Sequence, residues 1–73
     1  MYAGIISCIN SIKPIKESFE EDDKLMIEFE EEDFILYDEE IINDMLQQYK
    51  EIIEPKIYFH NKNKHKRAYI KIL

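Results

Sequence analysis

All sixteen carboxylates of this 73-residue chain lie between Glu17 and Glu54. Only Lys24 and Lys50 interrupt them, so that segment carries a formal charge of -14. Residues 1–16 carry +2, and residues 55–73, with five Lys, one Arg and no acid, carry +6. Like charge crowded in this way repels itself in a compact state. A stable fold must therefore spread the acids over a surface and hold an apolar layer behind them. The apolar set is sufficient for that: 45% of residues are hydrophobic, Tyr and Phe together number nine, and there are only one Gly and two Pro, a balance that separates the chain from disordered sequences of similar charge.

The length fits one domain, 1–73, and a core that removes somewhat over ~60% of the unfolded chain's surface from water, a regime in which a second subunit adds useful stability. A single cysteine, Cys8, rules out an internal disulfide and suits a reducing cytoplasm. The nearly apolar opening from Met1 to Ile9 has no basic leader and falls short of the ~20 residues of a membrane span. The expected location is cytoplasmic, with no membrane contact.

Residues 39–53 carry the clearest element. Ile41, Ile42, Met45, Leu46, Tyr49, Ile52 and Ile53 recur with the spacing of an amphipathic helix. Asp38 is placed as its N-cap, Glu39 and Glu40 occupy its first turn, and Pro55 ends it. Asn43, Asp44, Gln47, Gln48 and Glu51 form the opposite, solvated face. From Lys24 to Glu30, Leu25, Ile27 and Phe29 alternate with Met26, Glu28 and Glu30, the period of a half-buried strand whose acids point away from the core. A second strand is expected at Phe34 to Tyr37. The turn before it is Glu31-Glu32-Asp33, with Asp33 in the unusual backbone conformation. Such a strand offers either Phe34 with Leu36 or Ile35 with Tyr37 to a second element or subunit. After Pro55, Lys56 to His60 and Ala68 to Leu73 read as a β-hairpin with the basic tip Asn61 to Arg67. At the start, Ile5, Ile9, Ile12, Ile15 and Phe19 step as a helix would, with Pro14 opening a second helical segment through Phe19; a strand from Tyr2 to Cys8 is the alternative. The expected fold is α+β, ordered α-β-β-α-β-β: a small antiparallel sheet with one clear amphipathic helix and an N-terminal helix, paired as a homodimer.

No motif of catalysis stands out. Nothing in the sequence places a base beside Ser7 or Cys8. His60 and His65, even with Cys8, match no zinc spacing. The carboxylate bursts lack the glycine of a calcium loop. Glu54-Pro55-Lys56 has the E-x-K form of a restriction-type nuclease, but proline spoils the strand, and Gly4-Ile5-Ile6 cannot belong to a GIY-YIG pair when Gly4 is the only glycine. The same count excludes a phosphate-binding loop. The chain reads as a non-enzyme, with no catalytic residue, no metal and no cofactor.

Two surfaces remain. The acidic one comprises Glu20, Glu21, Asp22 and Asp23, then Glu28, Glu30, Glu31, Glu32 and Asp33, then Asp38, Glu39 and Glu40. Strand residues two apart repeat at ~6.6 to 6.8 Å, about two steps of a DNA strand at ~3.4 Å. Carboxylates in that array can stand in for phosphates in the cationic groove of a DNA-binding protein. The basic surface comprises Lys56, Lys62, Lys64, Lys66, Arg67 and Lys71, with Tyr58, Phe59 and Tyr69 as stacking platforms for nucleic acid. A net charge of -6 argues against direct nucleic-acid binding and for neutralisation of the acids within the chain or across a dimer. A third reading is an antitoxin or adaptor that recognises a protein by shape.

The segment Glu20 to Glu40, in a chain rich in Ile, Lys, Glu, Asn and Tyr with one Gly and no Trp, resembles the small early proteins by which phages of AT-rich bacteria disable host machinery. That group includes uracil-DNA glycosylase inhibitors, many anti-CRISPR proteins and a sliding-clamp inhibitor of a staphylococcal phage. The terminal Ile70-Lys71-Ile72-Leu73 is similar to the tail of the glycosylase inhibitor family, from which the rest of the chain departs. The resemblance implies a DNA-mimic inhibitor of a basic host protein, with the replication sliding clamp as an example, and carries over no individual functional residue.

Overall fold

The computed structural model describes residues 2–32, 36–61 and 63–73. The fold is α+β in the expected order, two helices and a four-stranded antiparallel sheet of order β1-β2-β4-β3. Helix α1 (Ala3–Ile12) presents Ile5 and Ile9, four residues apart and both fully buried, to the sheet. It stops at Lys13, whose extended backbone (φ -142, ψ 117) is what the following Pro14 demands. The Asn10 carboxamide then accepts the Ile15 amide at 2.8 Å, which turns the chain directly into a strand.

That strand, β1 (Ile15–Glu21), corrects the expectation of a second helical segment from Pro14 to Phe19. Proline could open either element, and a bulge between Ile15 and Glu17 breaks the plain alternation by which the strand would have been recognised. The hairpin partner, β2 (Lys24–Phe29), behaves as its alternation predicts, with Leu25, Ile27 and Phe29 buried. The two-residue turn between them is Asp22-Asp23, both at positive φ (50 and 59). Asp33, expected in such a conformation, lies outside the described residues, as do Phe34 and Ile35.

The expected strand at Phe34 to Tyr37 is not formed by its second half: Leu36 and Tyr37 open helix α2 (Leu36–Leu46). Asp38 consequently sits in the first turn of α2 instead of capping it. The helix tightens into a 3-10 turn (Gln47–Tyr49) well before Pro55, so its stop comes from the chain's swing back to the sheet. Ile42 and Leu46 are fully buried, and so is Ile53 beyond the turn, whereas Ile52, expected on the same face, is 38% exposed. Asn43, expected in the solvated face, instead accepts the Ile57 amide at 2.9 Å and fixes the return path.

The basic hairpin is tighter than expected. Strands β3 (Tyr58–Asn61) and β4 (Lys64–Lys71) draw most of the polar tract 61–67 into the sheet. Ala68 and Ile70 of β4 complete the core between sheet and helices. The C-terminal residues are tied down: Ile72 bridges Ile53 and donates to the Asp23 carbonyl at 2.8 Å, and Leu73 donates to the Ile52 carbonyl at 3.1 Å. Both helices pack on one sheet face, and among the described residues no helix covers the other.

Candidate functional site

The β1–β2 hairpin gathers most of the predicted acidic residues. Glu20 and Glu21 end β1, Asp22 and Asp23 form the turn, and Glu30, Glu31 and Glu32 follow β2 at its other end; all seven are exposed. The two groups are separated by the six residues of β2, roughly 20 Å at ~3.3 Å each. Between them, on the same edge strand, stands Glu17, also exposed and not among the expected residues. Its segment reads as a helix in the sequence, and its mostly exposed side chains offer no alternation to correct that.

Three expected residues are not brought to this edge. Asp38 and Glu39 are half-buried and Glu40 exposed, all on α2, which packs on the opposite side of the core from the open sheet face. Glu28 is half-buried within β2, with Glu17 as its register partner on one side and Arg67 on the other. A like charge opposite Glu28 destabilises, and Arg67 stands in register on its other side as the opposite charge. The acidic surface is therefore the rim of the hairpin, not one continuous patch from Glu20 to Glu40.

The open sheet face is organised in three rows. Glu17, Glu28 and Arg67 are in register across β1, β2 and β4; next come Phe19, Met26, Tyr69 and Tyr58 across all four strands; then Glu21, Lys24 and Lys71. Phe19 is 48% exposed. Tyr58 and Tyr69 stack with centroids 5.3 Å apart and planes within 14°. The Lys71 and Lys56 ammonium groups lie 4.8 and 5.2 Å from the Tyr58 centroid, and Lys24 lies 5.3 Å from that of Tyr69, distances at which a cation is attracted to the ring. His60 tilts against Tyr69 at 5.2 Å. The Tyr58 hydroxyl donates to the Glu54 carboxylate, and that bond, with partial desolvation and nearby negative charge, raises its pKa above the usual 10. Phe59, expected as a third stacking platform, turns to the other face, packing against the core and edge-on to His65 at 4.7 Å. At the hairpin end of the open face, Glu32 lines a concavity with Lys64, Lys66 and Arg67, so basic groups stand beside one flank of the acidic rim.

Cys8 is half-buried, with its sulfur 3.9 Å from the Tyr49 hydroxyl, a contact that raises the Tyr49 pKa. Among the described residues no three His, Cys, Asp or Glu side chains converge in a way that would hold a metal ion, and no helix is long and apolar enough to cross a membrane. Comparison of the chain with protein-family models, with curated proteins and with solved structures yields no match. What the arrangement offers chemically is charge and shape: an anionic rim on one edge and a polarised aromatic face beside it.

Proposed function

We propose that this chain inhibits a nucleic-acid-handling protein by lodging the β1–β2 edge in that protein's cationic groove in place of a nucleic-acid strand. One observation carries the reading: Glu17, Glu20 and Glu21 on β1, Asp22 and Asp23 in its turn, and Glu30, Glu31 and Glu32 just after β2 are all exposed, and among the described residues no strand pairs with the outer side of β1. Only Lys24 lies among them in sequence. The partner is a basic host protein whose groove accepts duplex DNA, a sliding clamp being one such shape. Charges on an edge strand also block unwanted strand pairing, and the two roles differ in what they predict.

Immobilised chain should capture a DNA-binding protein from bacterial lysate at low salt and release it to excess duplex DNA. Retention should fall steeply as salt rises, because binding then depends on screened charge and displaced counterions. Reversing Glu20 and Glu21, or Glu30 and Glu31, to Lys should lower affinity by at least about tenfold with an unchanged circular dichroism spectrum. A captured protein that ignores competing DNA, or an affinity indifferent to all four reversals, rejects the reading.

Direct nucleic-acid binding by the open face has one observation of its own, the Tyr58–Tyr69 stack with its three lysines. The same contacts occupy much of the ring faces on which bases would stack. Glu17, Glu21 and Glu28 on that face also oppose phosphate. Titration with labelled oligonucleotides separates the two readings.

A further inference from the structure

We propose that the open sheet face is a two-fold interface with a second copy of this chain, the twofold axis running along the strands between β2 and β4. The strand order sets the charges: β1 and β2 bring Glu17, Glu21 and Glu28 to this face, and β4 and the segment leading into β3 bring Arg67, Lys71 and Lys56. A twofold axis between two facing sheets must lie in the plane between them. If it runs along the strands, β2 of one copy covers β4 of the other and β1 covers β3. If it runs across them, each strand covers itself: Glu17 approaches Glu21 and Arg67 approaches Lys71 of the second copy, both of which repel, and only Glu28 over Lys24 attracts. The first arrangement is the more complementary of the two.

In that arrangement the rows stay in step. Met26 lies over Tyr69, Phe19 over Tyr58, and Glu28 over Arg67, each contact occurring twice as an isologous interface requires. Aligned sheets pack ~10 Å apart and rotate by about -30°, which disturbs least the two central strands on which Met26, Glu28, Arg67 and Tyr69 sit. Lys24 over Lys71 is the one unfavourable opposition, and both ammonium groups already lean on tyrosine rings. Association covers the 48%-exposed Phe19 and the aromatic row, which a chain with so small a core gains most from burying. The interface takes Glu17 and Glu21 from the acidic edge and leaves Glu20, Asp22, Asp23 and Glu30 to Glu32 on the rim, where the proposed inhibition can still use them.

The test is sedimentation of the full chain from ~1 µM to ~1 mM, the range in which interfaces of modest area dissociate. The unaltered chain should pass from monomer to dimer. Glu28→Arg alone and Arg67→Glu alone should each weaken dimerisation by roughly a hundredfold, because each places like charges together across the axis. An equimolar mixture of the two should dimerise again, since position 28 of each chain then faces an opposite charge at position 67 of the other. Within each chain the 28–67 register pair stays like-charged, so recovery reports only the contact between copies. Circular dichroism verifies folding, and Phe19→Lys, at a position outside the core, replaces any charge reversal that unfolds. A chain that is monomeric throughout, a dimer that survives the single substitutions, a mixture that stays monomeric, or an oligonucleotide that occupies this face of a monomer each overturns the proposal.

Discussion

Asp22 and Asp23 hold left-handed backbone angles, φ 50 and 59, in the two-residue turn between β1 and β2. Two-residue hairpins favour Asn-Gly there, because glycine bears no Cβ to clash and asparagine tolerates the conformation. Replacing Asp22→Asn and Asp23→Gly should stabilise the fold by about 1 kcal/mol, less whatever glycine adds to the unfolded chain's freedom. The urea midpoint should rise with an unchanged slope, while capture of a cationic partner weakens with two charges gone. A second residue-scale prediction concerns Tyr58. Its hydroxyl donates to the Glu54 carboxylate, and this bond, followed by desolvation and the neighbouring charges of Glu54 and Tyr69, places its pKa above 10. A folded-state pKa raised above the unfolded one contributes stability that is present below the unfolded pKa, about 10, and lost as pH rises through the raised value. In an alkaline ultraviolet titration Tyr58 should ionise late, together with Tyr49, whose contact with Cys8 acts in the same direction. Tyr58→Phe should remove one late component. If the titration is unchanged by the substitution, the Glu54 bond does not hold in solution.

At the scale of elements, period-2 alternation located β2 because Leu25, Ile27 and Phe29 all bury one face and the sheet leaves the other open. Stepping by three and four located α1 through Ile5 and Ile9, and the middle of α2 through Ile42 and Leu46. β1 was illegible for a physical reason: it is an edge strand with mostly exposed side chains, Glu17, Phe19, Glu20 and Glu21 among them, so burial imposes no pattern on it. The start of α2 was hidden because aromatic and branched residues before Asp38 read as strand. Helix propensity differences of at most about 0.7 kcal/mol per residue do not decide against packing. The acidic rim was legible as charge, but Glu17 was missed with its strand, and Asp38 to Glu40, on a helix as expected, stand apart from the rim because α2 packs on the other side of the core. Asn43 was taken for solvated surface because nothing local marks a carboxamide that reaches fourteen residues along the chain to Ile57. Asn43→Ala should therefore destabilise by roughly 1 to 3 kcal/mol, the effect of stranding a partly buried amide, whereas the exposed Gln48→Ala should stay within about 0.5 kcal/mol. Comparing the two by urea unfolding tests the assignment, and equal effects would count against it.

For the whole molecule the question is whether charge opposes the fold or supports it. Seven exposed carboxylates stand at the two ends of the β1–β2 hairpin with Glu17 between them, while Arg67 and Lys71 approach only from β4. If self-repulsion along the rim outweighs that attraction, salt must stabilise the fold, since screening acts first on exposed like charges. Partner binding through the same carboxylates must change in the opposite direction, because there the screened interaction is attractive. Raising ionic strength from ~0.01 M, where the screening length is about 30 Å and spans the hairpin, to ~1 M, where it is about 3 Å, covers the full range. A gain of about 1 kcal/mol would appear as a rise of roughly 4 to 8 °C in Tm for a domain of this size. Glu20→Gln, Glu21→Gln, Glu30→Gln and Glu31→Gln together should raise Tm at low salt, flatten its salt dependence and remove most capture. A Tm that falls with salt would mean that the acids are held mainly by β4. The rim would then be an internal counter-charge rather than a surface free to take the place of phosphates.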